Sequence, residues 1–277
     1  QYLFKGGPDM SANIQILTLD GPIYYDDGPG SYFRWMLKKL YGMTEKANRP
    51  KAVILRVNSP GGTVGATEEL FQAVRHLQVN GIRVVALMED VAASGGLYVS
   101  MAADCVIAHA GTITGSIGVI MEGTDYSAIM DFLGIKTNVI KSGKFKDIFS
   151  GTRPMTNEEH AQLQETIMSV YQQFLEMVAK ERRMPIAKVK KFADGRVMSG
   201  MQAYKLKLVD GIGGLASAVE VAAKLGKISK NKIKTKFVRR KGWGGGCWCK
   251  AKANFLALIP NAKLSGIPLF MMPKFNK

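Results

Sequence analysis

Histidine and cysteine are scarce in this chain, with three of each among 277 residues. Three cysteines cannot staple a domain of this length, and Cys247 and Cys249, one residue apart, are too closely spaced for an ordinary disulfide. Metal binding by that pair would need further ligands that the tail does not supply, so neither a metal nor a cofactor is expected. Long apolar runs are missing as well. A spanning helix needs about 18 uninterrupted apolar residues, and the nearest stretch, Ala253 to Met272, is broken by Pro260, Asn261, Lys263 and Pro268. Acidic side chains are absent from one end: residues 221–277 hold 14 basic and no acidic groups, whereas residues 1–220 hold 24 and 22. The net charge of +16 therefore belongs mainly to a tail, and nucleic acid is not an expected partner of the nearly neutral body. The chain begins at Gln1 rather than Met, which reads as a soluble fragment of a longer protein whose anchoring or targeting segment has been removed.

With 47% apolar residues the chain has the means to bury a sizeable core. Two β-branched runs, Ala52 to Val57 and Arg83 to Met88, read as strands, and the apolar positions Leu70, Phe71, Val74 and Leu77 between them recur at helical spacing. A second β-α-β unit is predicted from a helix over Ser94 to Ala103, a strand at Cys105 to Ala108 and a strand near Thr137 to Ile140. Such alternation argues for a parallel sheet covered by helices. Thr156-Asn-Glu-Glu159 forms a capping box, from which a helix is predicted to run to about Arg183. A further helix is predicted over Ser217 to Gly226. Asn231 to Lys241 reads as an edge strand or solvated arm, and Gly242 to Cys249 as a turn-prone insert. The predicted division is a catalytic domain over residues 1–220 and a basic tail over 221–277.

Three small-residue clusters stand at strand ends: Asn58-Ser-Pro-Gly-Gly62, Ala92-Ala-Ser-Gly-Gly96 and Thr114-Gly-Ser-Ile-Gly118. Glycine pairs there let backbone N–H groups approach a ligand closely, as an oxyanion hole requires, although any one pair alone reads as a tight turn. The first cluster is not a phosphate loop, since no Gly-Lys-Ser/Thr follows it. A hydrolase built on Ser94 needs a base. His76 and His160 lie on predicted helices with surface roles, His109 follows a strand, and no Gly-x-Ser-x-Gly elbow surrounds Ser94, so a Ser-His-Asp triad is disfavoured. Lysine is the alternative base where burial lowers its pKa from about 10.4 towards 7 or 8. Lys141-Ser-Gly-Lys-Phe-Lys-Asp147 offers three candidates, and nothing local selects one of them over a plain solvated loop.

These segments carry a family resemblance. Val53-Ile-Leu-Arg-Val-Asn-Ser-Pro-Gly-Gly62, Ala92-Ala-Ser-Gly-Gly-Leu-Tyr98, Thr114-Gly-Ser-Ile-Gly-Val119, Lys141 to Asp147, and Asp194-Gly-Arg-Val-Met-Ser-Gly200 with Leu208-Val-Asp-Gly211 resemble, in order and spacing from about Ile14 to Gly214, the signal peptide peptidase A family. The last 50 or so residues resemble it only loosely. The resemblance implies a ClpP/crotonase-like fold and a serine endopeptidase with a Ser-Lys dyad. By motif, Ser94 is the implied nucleophile and Lys146 the general base. Ser116 is the implied hydroxyl that holds the lysine amine, Gly61 and Gly95 supply the oxyanion hole, and Gly62 supports the turn. Asp147 is expected to point away from Lys146 or pair elsewhere. A single set of motifs matches the half-length form of the family. That form implies a homo-oligomeric ring, expected to have eight subunits, with Ser94 and Lys146 contributed by neighbouring protomers. The implied substrates are remnant signal peptides and other unfolded or apolar chains. The implied setting is membrane-associated, through an anchor missing from this chain, with the catalytic domain extracytoplasmic.

Two other readings remain at this point. A crotonase-like acyl-CoA enzyme would share the fold and use a similar glycine-built hole without needing Ser94 or Lys146. A basic adaptor would bind membrane or nucleic acid through residues 224–252, with Trp243 and Trp248 interleaved among the charges.

Overall fold

The computed structural model describes residues 12–26, 28, 30–45 and 49–240, together with the backbone of 269–271. Cys247 and Cys249, the aromatics Trp243 and Trp248, and the whole of the predicted insert Gly242 to Cys249 lie outside the described residues. In chain order the elements begin β1 (Ile14–Asp20), α1 (Tyr32–Gly42), β2 (Ala52–Ser59), β3 (Gly61–Thr63), α2 (Val64–Val79), β4 (Arg83–Ala93), α3 (Gly95–Ser100), β5 (Cys105–Ala108) and β6 (Ile113–Gly115). They continue with α4 (Ser127–Phe132), α5 (Asn157–Glu181), α6 (Ile186–Lys190), β7 (Val197–Ser199), α7 (Gly200–Lys205), β8 (Gly211–Ile212), α8 (Leu215–Leu225), β9 (Thr235–Phe237) and β10 (Leu269–Met271). The described residues form two compact units, one from 12–118, 173–240 and 269–271, the other from 119–172.

The first unit is built on one mostly parallel sheet. Its strand order is β7-β6-β4-β2-β1-β9, with β5 and β8 leading off β4, and only the β6–β7 pair is antiparallel. Strand β4 forks: Val85 to Met88 pair with β5, whereas Val91 to Ala93 pair with β6. The register with β2 jumps between Val57↔Met88 and Ser59↔Ala92, and Asn58 fills the irregularity, its Oδ1 accepting from Val91 N–H at 3.3 Å. The outer half of β4 is thereby carried past the core and ends at Ala93.

Alternation along the strands divides the core between two faces. Ile14, Ile16, Ala52, Ile54, Val85, Leu87 and Ile107 pack against Ala218, Val219, Ala222 and Ala223 of α8. The opposite set, including Val53, Leu55, Val84 and Ala86, is equally buried on the side of α2 and α3. Near-continuous apolar strands are what a sheet covered on both faces requires. Helix α8 starts and ends within two residues of the predicted helix, and β9 adds to β1 in parallel as an edge strand.

In the second unit the capping box forms: Glu159 N–H donates to Thr156 Oγ1 at 3.2 Å, and Thr156 N–H to Glu159 Oε2 at 2.8 Å. The strand predicted near Thr137 to Ile140 is not there. Those residues have no regular structure, Ile140 is wholly exposed and Val139 half-exposed. A β-branched run becomes a strand only where a neighbouring strand and a face to bury exist, and this run has neither.

The core makes a direct prediction. Ile54, with no exposed surface, should on truncation to alanine cost about 2–5 kcal/mol, measured as a fall in the urea midpoint at unchanged slope.

Candidate active site

Three turns of the first unit converge at the end of the sheet. The first joins β2 to β3. Gly61 sits at φ +102°, a region that favours glycine. Its carbonyl accepts from Ile23 N–H at 2.8 Å, and Ile23 O accepts from Thr63 N–H at 2.8 Å. This clamp is so close that a Cβ on Gly62 would lie 1.7 Å from Ile23 O, so no side chain fits there. Gly61 N–H donates to the buried Ser59 Oγ at 3.2 Å.

The second turn carries Ser94 from β4 into α3. Ser94 is the N-cap of α3 at φ +52°, ψ −116°, a conformation that costs a non-glycine residue on the order of 1–3 kcal/mol. Two bonds hold it: Ser94 N–H donates to Gly115 O, and Ser94 O accepts from Tyr98 N–H, both at 2.9 Å. Tyr98 is wedged between Phe71 and Phe174, with ring centroids 5.3 and 5.1 Å away, and burial pushes its phenol up to about 12. The aromatic stack therefore fixes α3, and α3 fixes the turn. Ser94 has no exposed surface, and its hydroxyl has no hydrogen-bond partner among the described residues. Leaving a buried hydroxyl unpaired costs about 1–3 kcal/mol. Strain and an orphaned hydroxyl on one residue mark a group held ready for something other than stability.

The third turn follows β6. Ala93 and Gly115 are register partners and Ser94 N–H bonds Gly115 O, so Ser116 directly follows the residue that holds the Ser94 turn. Ser116 shares the φ of +52°, is buried, and is held by its N–H to Arg196 O at 2.7 Å. Gly95 closes the group. A Cβ on it would meet Thr67 Oγ1 at 2.7 Å, Gly61 Cα at 3.1 Å and Gly62 N at 3.2 Å, so the backbones of Gly95 and Gly61 are in contact. As the first residue of α3, Gly95 keeps an N–H with no acceptor among the described residues. Ser94, Ser116, Gly61 and Gly95 are thus brought together. Thr67, in the first turn of α2, joins them: it is fully buried, and its hydroxyl too has no partner among the described residues. Nothing in the sequence marked it, since a threonine in a helix's first turn has many ordinary uses.

Lys146 belongs to the second unit, in an irregular turn where its N–H donates to Gly143 O at 3.1 Å. Its side chain is exposed. The other two lysines of that loop are ion-paired, Lys141 with Asp147 at 2.7 Å and Lys144 with Glu158, and Lys146 makes no ion pair among the described residues. Asp147 is turned to Arg153, whose guanidinium bonds both its oxygens at 2.7 and 2.9 Å and both oxygens of Glu159 at 2.5 and 2.9 Å. These bonds hold the Asp147 carboxyl well below the usual range and Glu159 at about 2. Asp147 therefore pairs elsewhere than with Lys146, as expected. His76 bonds Thr44 at 3.1 Å beside the Tyr41 ring, while His109 and His160 are exposed.

The profile of peptidase family S49 matches residues 76–229. The chain belongs to peptidase family S49. A protein of Synechocystis sp. that carries the name of a protease is 36% identical over 249 residues, covering 85% of this chain and 89% of its own length. The chloroplastic serine protease SPPA of Arabidopsis thaliana is 33% identical over 234 residues, 82% of this chain and 34% of its own length. Protease 4 of Haemophilus influenzae is 34% identical over 213 residues, 77% of this chain and 34% of its own length. The S49 chain is thus a serine protease with the ClpP/crotonase-like α/β fold of that family, its mostly parallel sheet flanked by helices.

The Arg153 bridge gives this S49 peptidase a defined acid response. A carboxylate whose folded pKa is lowered adds stability that is complete above its unfolded value of about 4.3 and is lost as pH falls towards the folded one. In Arg153→Gln the Glu159 carboxyl should titrate above its present value of about 2 while the Thr156 N–H still holds it below the ordinary range, and carbon-detected NMR of the side chain should read that rise directly.

Proposed function

We propose that the enzyme is an endopeptidase in which Ser94 is the nucleophile and Lys146 the general base. One observation carries this reading: a strained, buried and unpartnered Ser94 hydroxyl next to the free N–H of Gly95. In the proposed cycle the neutral Lys146 amine takes the Ser94 proton as Oγ attacks the scissile carbonyl. The oxyanion rests on the N–H groups of Gly95 and Gly61, the latter shared with or released from Ser59. The resulting ammonium then protonates the leaving amine, and water completes deacylation through the same base. Ser116, beside Ser94, orients the lysine amine.

Lys146 is exposed within its own unit, which suits a base that meets Ser94 of a neighbouring protomer. The proposed assembly is a ring of eight copies. Support comes from the apolar surface of the second unit, where Ile129, Phe132, Leu133, Ile135 and Ile140 are each at least half exposed, more than a solitary chain leaves uncovered in one region. The proposed substrates are remnant signal peptides and other unfolded, apolar chains, which enter as extended strands along β3. Membrane association is proposed through a segment other than those described, since no helix among the described residues is long and apolar enough to cross a bilayer. The catalytic domain is placed on the extracytoplasmic side.

Ser94→Ala and Lys146→Ala should each lower kcat/KM for an unfolded protein substrate by about a thousandfold or more, and undiminished cleavage by either overturns its assignment. Phe132→Glu combined with Ile140→Glu should reduce the mass read by light scattering and reduce cleavage with it; an unchanged mass removes this surface from the assembly.

A further inference from the structure

Thr67 has no exposed surface, and its Oγ1 has no hydrogen-bond partner among the described residues. Serine and threonine inside a helix commonly give the hydroxyl to the carbonyl four residues back. Ser100 does so to Gly96 O at 2.8 Å, and Thr166 to Gln162 O at 3.2 Å. Thr67 makes no such bond to Thr63 O. A buried hydroxyl left unpaired is a cost to the fold, and valine would fill nearly the same volume without it.

The surroundings of that hydroxyl suggest its use. A Cβ on Gly95 would meet Thr67 Oγ1 at 2.7 Å. A Cβ stands about 2.5 Å from the nitrogen of its own residue, which puts Thr67 Oγ1 within about 5.2 Å of Gly95 N whatever the angle between them. An oxygen that accepts from an N–H and from a hydroxyl spans up to about 5.7 Å between the two donors. One oxygen atom can therefore accept from the Gly95 N–H and the Thr67 hydroxyl together. The Gly61 N–H is less available for that task, because it donates to Ser59 Oγ at 3.2 Å.

We propose that Thr67 is a further catalytic residue, its hydroxyl donating a hydrogen bond to the oxyanion that forms when Ser94 attacks. The proposal rests on the Ser94 and Gly95 assignments given above and deepens them by naming another donor. No covalent bond to Thr67 forms. Its proton stays on Oγ1 while the carbonyl π pair moves onto the substrate oxygen, and the hydrogen bond weakens when that oxygen re-forms the carbonyl and the leaving amine departs with the proton from Lys146. Ser94 is closed from solvent as completely as Thr67. The movement that admits a scissile carbonyl to Ser94 Oγ brings its oxygen, one bond from the attacked carbon, to the Gly95 N–H and so within reach of Thr67. A donor held in a dry, packed place needs no reorganisation as charge develops. Because its bond is strongest in the transition state, it raises kcat more than it tightens substrate binding.

The test compares the full chain as wild type, Thr67→Val and Thr67→Ser on a fluorogenic apolar peptide. Thr67→Val should lower kcat about tenfold to a hundredfold with KM within about twofold of the wild type. Thr67→Ser, which keeps the hydroxyl, should stay within about threefold. A peptide aldehyde, whose adduct with a serine carries an oxygen in the oxyanion position, should bind Thr67→Val about tenfold more weakly. The urea midpoint of Thr67→Val should equal or exceed that of the wild type at unchanged slope, since an unpaired hydroxyl has been removed. Wild-type kcat in Thr67→Val overturns the proposal, and so does Thr67→Ser as slow as Thr67→Val, which traces the effect to packing. A lowered urea midpoint in Thr67→Val also overturns it, because the hydroxyl is then bonded in the resting protein. A small alkyl fluorophosphonate separates these failures from failure of the reading beneath them. Labelling of the wild type at Ser94 alongside any of those results removes Thr67 alone; no labelling at Ser94 in any of the three chains removes the nucleophile assignment and the role of Thr67 with it.

Discussion

Gly95 and Gly61 approach so closely that a Cβ on Gly95 would lie 3.1 Å from Gly61 Cα and 2.7 Å from Thr67 Oγ1. The rest of the site depends on that approach. It sets the first turn of α3 beside β3, so that the strained Ser94 turn, the Gly95 N–H and the Thr67 hydroxyl share one small volume. The approach is itself a product of the sheet. The irregularity opposite Asn58 carries the outer half of β4 past the core to meet β6, and the Ile23 clamp pins β3 where β2 ends. Burial of α3 through Tyr98, between Phe71 and Phe174, supplies the apolar contact that makes the strain at Ser94 tolerable.

The second unit is organised by charge. Arg153 joins the Asp147 carboxylate to Glu159, the same residue that caps α5, so one cation ties the lysine-bearing loop to the start of the longest helix. It also keeps the neighbouring carboxylate of Asp147 occupied. A free carboxylate there would favour the charged form of a nearby lysine, the wrong form for the proposed base.

Much of this was legible in the residues. The strands Ala52 to Val57 and Cys105 to Ala108 stand out because buried parallel strands are near-continuous β-branched runs, and the three glycine clusters mark the turns at their ends. The capping box at Thr156 is a local device, and local devices survive folding. What escaped is what depends on distant partners. Val139 and Ile140 have strand composition without a neighbouring strand. That Lys141 and Lys144 are ion-paired with Asp147 and Glu158, whereas Lys146 has no ion pair among the described residues, is determined only in the folded loop. Thr67 meets Gly95 across 28 residues of sequence, and Leu269 to Met271 finds its strand partner some 200 residues earlier.

The basic end of the chain takes on a physical sense when the sheet edges are compared. Among the described residues β9 pairs with β1 alone, and its centre is the exposed Lys236, preceded by the exposed Lys232 and Lys234. An edge bearing like charges at close intervals repels a strand that tries to add to it. The β3 edge is glycine-rich and uncharged, so it has no such defence. That contrast sorts strands by place: the charged rim of the sheet turns an added strand away, whereas the uncharged β3 accepts one and pairs antiparallel with β10.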